Sequence, residues 1–464
     1  MTDLLAARSQ MAMSLGFHII FAAVGIALPA LMCVAEWRAL RTGDAGYRAL
    51  AQRWARGTAI LFAVGAVSGT VLSFELGLLW PTFMERTGAI IGLPFALEGF
   101  AFFTEAIFLG IYLYGWNRVP PRAHLAAGIV VAASGALSGI FVVMVNAWMN
   151  APVGYRLAAD GTLLDIQPLR GLTSPAALAQ TLHMTLAAYA ATAMAVAGVH
   201  ALMLRRRSTR ADAIAAAFHR RALSVALLVG APAALLQPLS GHYSAAVVAR
   251  VQPTKLAAME GLWQTTAGAP LRIGGWPDEA AERTRFAIEV PYGLSLLAFD
   301  DPHATVRGLD AVPRTERPPV LVTHLAFQTM VGLGSLLALV GAWGLWALWR
   351  SARSRTRDGA AQSVADRPRL LLALGIAAPM GFVAIEAGWT VTEVGRQPWV
   401  VQGVLRTADA VTPMPGLIVP FLTFTALYVF LAVVVSWLLW RQIVSTRRTG
   451  PGGLTAEMPV PQGA

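Results

Sequence analysis

Cysteine is almost absent: Cys33 is the only one in 464 residues. A lone thiol excludes an intrachain disulfide, a thiolate-bound iron–sulfur cluster and covalent Cys-x-x-Cys-His attachment of haem. Charge is scarce as well, at 13% of residues against about 25% in an average soluble domain, while 56% of residues are hydrophobic. The surface left for water is small, so the chain reads as a bilayer protein. Lysine occurs once, at Lys255. No repeat of solenoid period is found. The opening residues have neither the basic start nor the short apolar run of a cleavable leader, so the first apolar run is expected to stay as a helix.

What is present is apolar length. Runs long enough to span a bilayer lie at roughly 11–37, 57–84, 93–116, 124–148, 179–204, 222–239, 320–349, 370–393 and 415–440. Backbone in lipid must satisfy its own hydrogen bonds, so each run is read as a helix. The expected fold is all-α: a polytopic membrane protein with about nine transmembrane helices. A net charge of +11 does not indicate nucleic acid, because the basic residues cluster in alternate connections. One set of connections plus the C-terminal tail holds 22 of them, the opposite set with the N-terminus holds 6, and the long sixth connection holds 8. The positive-inside rule, which discounts long loops, places the N-terminus outside and the C-terminus inside. The expected organisation is helices 1 to 6 over 1–239, an outer loop over 240–319, helices 7 to 9 over 320–442, and a disordered cytoplasmic tail over 443–464. Long ordered loops usually carry function.

Ionisable groups at membrane depth are expensive and are kept for a reason. The segment from Val383 to Trp399 sets Glu386 and Glu393 seven residues apart in apolar surroundings, then ends in Arg-Gln-Pro-Trp. Other carboxylates inside the runs are Glu75, Glu98 and Glu105, the histidines are His18, His183, His200 and His324, and no basic side chain sits with them. A bound metal or a proton path is the expected stabiliser. Glu98 and Glu105 fall on one helix face about 10 Å apart, a spacing that suits proton relay. His183 and Met330 suit a six-coordinate low-spin haem, with His324 as a rival ligand; interhelical hydrogen bonding and ordinary methionine packing are the plainer alternatives. His18 suits a single-ligand, high-spin haem, with Glu386 or Glu98 offering oxygen to another iron. On the predicted topology His18, His183, Met330 and Glu386 all lie in the outer half of the membrane, beside the long loop. There Lys255 lies near Glu260, a pair able to take protons from a hydroquinone, or simply a surface ion pair.

Together with their flanking residues these positions resemble subunit I of the cytochrome bd-type quinol oxidases, up to about Arg441. The resemblance runs through Gly16-Phe17-His18, Pro94 to Phe100, Asn146-Ala147-Trp148-Met149, Lys255 to Glu260, Glu386-Ala387-Gly388-Trp389 and Gly395 to Trp399. It implies a multi-pass enzyme of the bacterial plasma membrane that oxidises quinol at the outer face, reduces dioxygen to water and generates a proton gradient. It implies low-spin haem b on His183 and Met330, and a high-spin pair served by His18, Glu98 and Glu386. That pair is a haem b and a haem d, or a further haem b. Trp389 and Arg396 are implied at the cofactors, Glu105 on the proton route, and Lys255 with Glu260 at quinol. A second, haem-free membrane subunit is implied, and a very small third. Two departures stand out: Gln328 occupies a position where the family often has arginine, and the loop after helix 6 is the short kind of the cyanide-insensitive branch. The rival readings are a proton-coupled transporter and a haem-bearing scaffold without oxygen chemistry.

Overall fold

The computed structural model describes residues 1–354 and 364–444. The expected tail therefore lies, from residue 445 on, outside the described residues. Among these, nine helical segments are long and apolar enough to cross a membrane. They are α1 (Asp3–Thr42), α2 (Ala45–Leu79), α3 (Pro81–Tyr114), α4 (Pro121–Asn150), α5 (Ala177–Arg205) and α6 (Ala213–Val251). After the long loop with its short helix α7 (Pro253–Glu260) come α8 (Val320–Ser354), then α9 (Pro368–Ala377) with α10 (Met380–Val394) as one broken span, and α11 (Ile418–Val444).

Hydrophobicity alone does not hold such helices together, because lipid is as apolar as they are, and small residues that let backbones approach take over. The seam of α5, α6 and α9 follows this rule, with Ala197, Ala201, Ala226, Leu227, Leu371 and Leu374 fully buried. At Gly381 a Cβ would come within 2.4 Å of the Ala191 backbone, and at Gly198 within 2.5 Å of Leu374 O, so any larger residue forces these helices apart. Bulky apolar groups such as Phe74, Phe100, Phe103 and Leu339 instead face outward, as a lipid-facing surface requires. Helices α1 to α4 pack as neighbours, α5 lies along α6, and α8 lies on α6 and α10.

Several boundaries differ from expectation: α1 begins at Asp3 and not near residue 11, and α2 covers Ala45–Leu79 where the apolar run spans 57–84. Helix 6 does not stop near residue 239 but runs on to Val251 through Pro232 and Pro238; neighbouring helices tolerate the hydrogen bonds that proline removes in a membrane bundle. The loop is also not purely irregular. After α7, which ends on Gly261 in the left-handed conformation (φ +59°), come two nested antiparallel pairs. Strand β1 (Leu271–Ile273) pairs with β4 (Ile288–Val290), with Arg272 opposite Glu289. Inside it β2 (Trp276–Asp278) pairs with β3 (Arg283–Arg285).

Candidate functional site

His18 on α1 faces α2, where its Nδ1 lies 2.9 Å from Ser68 Oγ. That hydroxyl already donates to backbone carbonyls one turn back, Val64 O at 2.9 Å and Gly65 O at 3.1 Å. A hydroxyl has one proton, so Ser68 accepts from the ring; Nδ1 carries the hydrogen and Nε2 keeps its lone pair for a metal. His183 on α5 repeats the arrangement. Its Nδ1 is 2.9 Å from Ser240 Oγ on α6, which in turn donates to Gln237 O at 2.9 Å. The Gln237 amide packs on the ring, 3.1 Å from Nε2 and 3.2 Å from Nδ1, and donates to His183 O at 3.2 Å.

Met330 on α8 is seated against Gly388 of α10, where a Cβ would come within 3.0 Å of its sulfur; Trp389 is the next, half-buried residue. α5 and α8, which carry His183 and Met330, both pack on α6 and on α10. Glu386 points from α10 to α1, where a Cβ on Gly16 would meet its Oε2 at 3.2 Å. Its other oxygen, Oε1, is buried without a hydrogen-bond partner. Leaving such a group unsatisfied costs about 1–3 kcal/mol or more, so a proton or ligand is called for. Gly16 and His18 are two residues apart, about 200° around the helix. Glu386 thus lies against the opposite flank of α1 from His18, at nearly the same level. Glu98 and Glu105 both face α4, as their spacing predicts: Ser138 Oγ donates to Glu98 Oε1 at 3.1 Å, and Glu105 is buried against Gly135.

The loop residues correct one expectation. Lys255 and Glu260 are both buried, yet they are not partners. Lys255 Nζ donates to Asn150 Oδ1 and, at 3.3 Å, to Thr392 O. Asn150 Nδ2 donates to Asn146 O (2.8 Å) and Oδ1 (2.9 Å), Asn146 Nδ2 donates to Glu393 Oε1 at 2.5 Å, and Arg396 donates to Glu393 Oε2 at 2.5 Å. One polar chain therefore ties α7 to α4 and to the turn after α10. Burial, then the Arg396 guanidinium, hold the Lys255 ammonium well below the usual lysine range, with Glu393 acting against them. Burial pushes the Glu260 carboxyl up to about 7, opposed by the backbone N–H and the charge of Arg272.

Several in-helix groups taken for unpaired turn out to be paired. His200 Nδ1 lies 2.8 Å from His219 Nδ1. Glu75 accepts from Gln10 and Ser14. Glu393 has Arg396, so of the two carboxylates of its segment only Glu386 keeps an oxygen free. His324 turns both nitrogens to backbone carbonyls, Met259 O at 2.8 Å and Gly274 O at 3.1 Å, which removes it as a rival iron ligand. Sequence reasoning missed Ser68, Ser240 and Asn150 because contacts between helices leave no trace in spacing; Asn146 alone was flagged, by the motif that contains it.

The donor set fits haem. Among the described residues no three of His, Cys, Asp and Glu converge to hold a bare ion; imidazole, thioether and carboxyl arrive singly, as a ring that brings its own four nitrogens requires. Arg396 is 2% exposed with Nε and Nη1 unpartnered, donors that a carboxylate such as a haem propionate satisfies. A family model for cytochrome bd terminal oxidase subunit I matches residues 6–447. The chain is 38% identical over 439 residues to the putative cytochrome bd menaquinol oxidase subunit I of Bacillus subtilis, covering 95% of this chain and 96% of that one. It is 28% identical to the cytochrome bd-II ubiquinol oxidase subunit 1 of Escherichia coli, covering 98% of each. The fold is similar to that of the bd oxidase from Geobacillus thermodenitrificans, with a TM-score of 0.87, 35% identity, and 97% and 99% of the two chains covered. Family model, relatives and fold agree, and the chain belongs to the cytochrome bd terminal oxidase subunit I family.

Proposed function

We propose that this chain is the haem-bearing subunit of a quinol:oxygen oxidoreductase of the bacterial plasma membrane, working beside a second, haem-free membrane subunit and a very small third. His183 and Met330 hold low-spin haem b; His18, Glu386 and Glu98 serve the high-spin pair, a haem b with a haem d or a further haem b; Trp389 and Arg396 line them. When bound, the haems carry electrons and reduce dioxygen to water. The observation that carries the reading is the fixed tautomer of His18 and His183, each anchored through Nδ1 on a serine that has spent its own proton elsewhere.

The remaining chemistry is proton handling by the protein's own side chains. Glu260 accepts from quinol at the loop, and the Lys255 to Arg396 chain holds the loop helix in place. Glu98 and Glu105, stacked along α4, pass protons from the arginine-rich side toward the high-spin ligands. The positive-inside rule makes the arginine-rich side the cytoplasmic one, and there Arg41 lies over Trp37, Arg350 over Trp346, Arg353 over Trp349 and Arg441 over Trp437 at the ends of α1, α8 and α11. The N-terminus and the loop are then outside. Difference spectra and haem extraction on the purified complex test the reading. One low-spin signal and additional CO-reactive high-spin signals are expected; a colourless complex, or low-spin bands alone, overturns it.

A pH dependence follows from Glu260. Its pKa is raised to about 7, so the proton-accepting carboxylate is the minor form below that pH and the major form above it. Quinol oxidation rises with pH through about 7, and Glu260→Gln lowers the rate and flattens the rise. Initial rates across neutral pH measure this. A limb that persists unchanged in the variant returns Glu260 to a structural role.

A further inference from the structure

The loop that carries Lys255 and Glu260 is fastened to the bundle at a second place, by two side chains that have no part in the electron and proton transfers proposed so far. His324, in the first turns of α8, is fully buried, with Nδ1 2.8 Å from Met259 O and Nε2 3.1 Å from Gly274 O. One turn further, Gln328 closes an amide pair on the same strand end: its Oε1 accepts from Gly274 N at 2.9 Å and its Nε2 donates to Arg272 O at 3.0 Å. Residues four apart share a helix face, so α8 presents one polar edge to two loop segments. The first is the end of α7, where helix carbonyls lack intrahelical partners. The second is the end of β1.

Both segments bear on Glu260. Met259 is the residue before it, and Arg272 is the residue whose N–H and guanidinium act on its carboxyl. The seat is close-fitting: a Cβ on Gly261 would lie 3.5 Å from His324 Nδ1 and 2.5 Å from Thr284 Oγ1. Arg272 is itself fixed, to Glu289 at 2.9 Å and to Gly261 O at 3.0 Å.

We propose that His324 and Gln328 are positioning residues of the quinol site, a clasp that sets the separation between the Glu260 carboxyl and Arg272 by holding the two segments that carry them. The proposal rests on the reading of this loop as the place where quinol binds. It also accounts for glutamine at position 328, since an uncharged amide both donates to and accepts from a strand edge, and arginine, which has no acceptor, cannot do both.

The test uses the purified oxidase complex carrying His324→Asn or Gln328→Ala, with Glu260→Gln run alongside. Three quantities are read: quinol KM and kcat, oxygen consumption driven by a soluble artificial reductant of the haems, and hydrogen exchange of the Gly274 amide. Quinol KM is expected to rise about tenfold, the loss of one to two buried hydrogen bonds, with kcat and the artificial-donor rate unchanged and the Gly274 amide exchanging faster. Unchanged KM and unchanged exchange in both variants overturn the clasp. Faster exchange with unchanged KM, while Glu260→Gln leaves quinol KM, kcat and the rise with pH as in the unaltered protein, overturns it by removing quinol from the loop. A fall in kcat with the artificial donor overturns it in favour of a general packing role.

Discussion

Replacing His183 with alanine removes the low-spin haem and, with it, quinol-dependent oxygen consumption, by well over about 100-fold. Partners that merely orient a metal-ligating histidine are worth about 10–100-fold in affinity or activity, and this change deletes the ligand itself. Met330→Leu, which keeps volume but loses the thioether, gives the same spectral loss. Ser240→Ala falls between, because it leaves the imidazole but frees its tautomer and orientation. The check is a reduced-minus-oxidised spectrum per mole of purified complex. If both His183→Ala and Met330→Leu keep an intact low-spin band, the assignment fails.

Glu105→Gln is expected to lower turnover on the order of 100-fold while every haem band stays in place. The amide matches the acid in shape but cannot carry a proton, and a positioned acid or base is worth about 10²–10⁴ in rate. Because Glu105 lies beyond the quinol step, the loss appears with quinol and with an artificial reductant alike, which separates it from the Glu260 variant. Wild-type rates with either donor would take Glu105 off the proton route and leave it a buried group against Gly135.

Much of this site was legible in the sequence because membranes are strict. An ionisable residue in an apolar run has few reasons to be there, and His18, His183, Glu98, Glu105 and Glu386 are proposed on that ground; the same ground also raised Glu75, His200, Glu393 and His324, which have partners within the protein. The nine candidate spans followed from bilayer thickness in the same way, although the helices run past the apolar stretches, α1 over 40 residues where the run covered 11–37. The failures have physical causes too. The sixth apolar run ends near residue 239, but packing against α5 and α8 carries α6 on to Val251. Lys255 and Glu260 looked like partners in sequence, but five residues of helix place them about 140° apart, and each found a neighbour from a distant segment. His324 was read as a rival iron ligand and Gln328 only as a departure from the family pattern, because their partners are backbone atoms at the end of α7 and of a hairpin that no apolar run announces.

The polar chain under the loop has a practical corollary. Lys255 is the only lysine in the sequence, it is 4% exposed, and its ammonium is held by Asn150 and Thr392. Acylating reagents therefore meet a single lysine side chain in this subunit, shielded while the loop is docked and accessible once it lifts. The rate at which that one nitrogen is labelled is a built-in gauge of how often the substrate pocket opens.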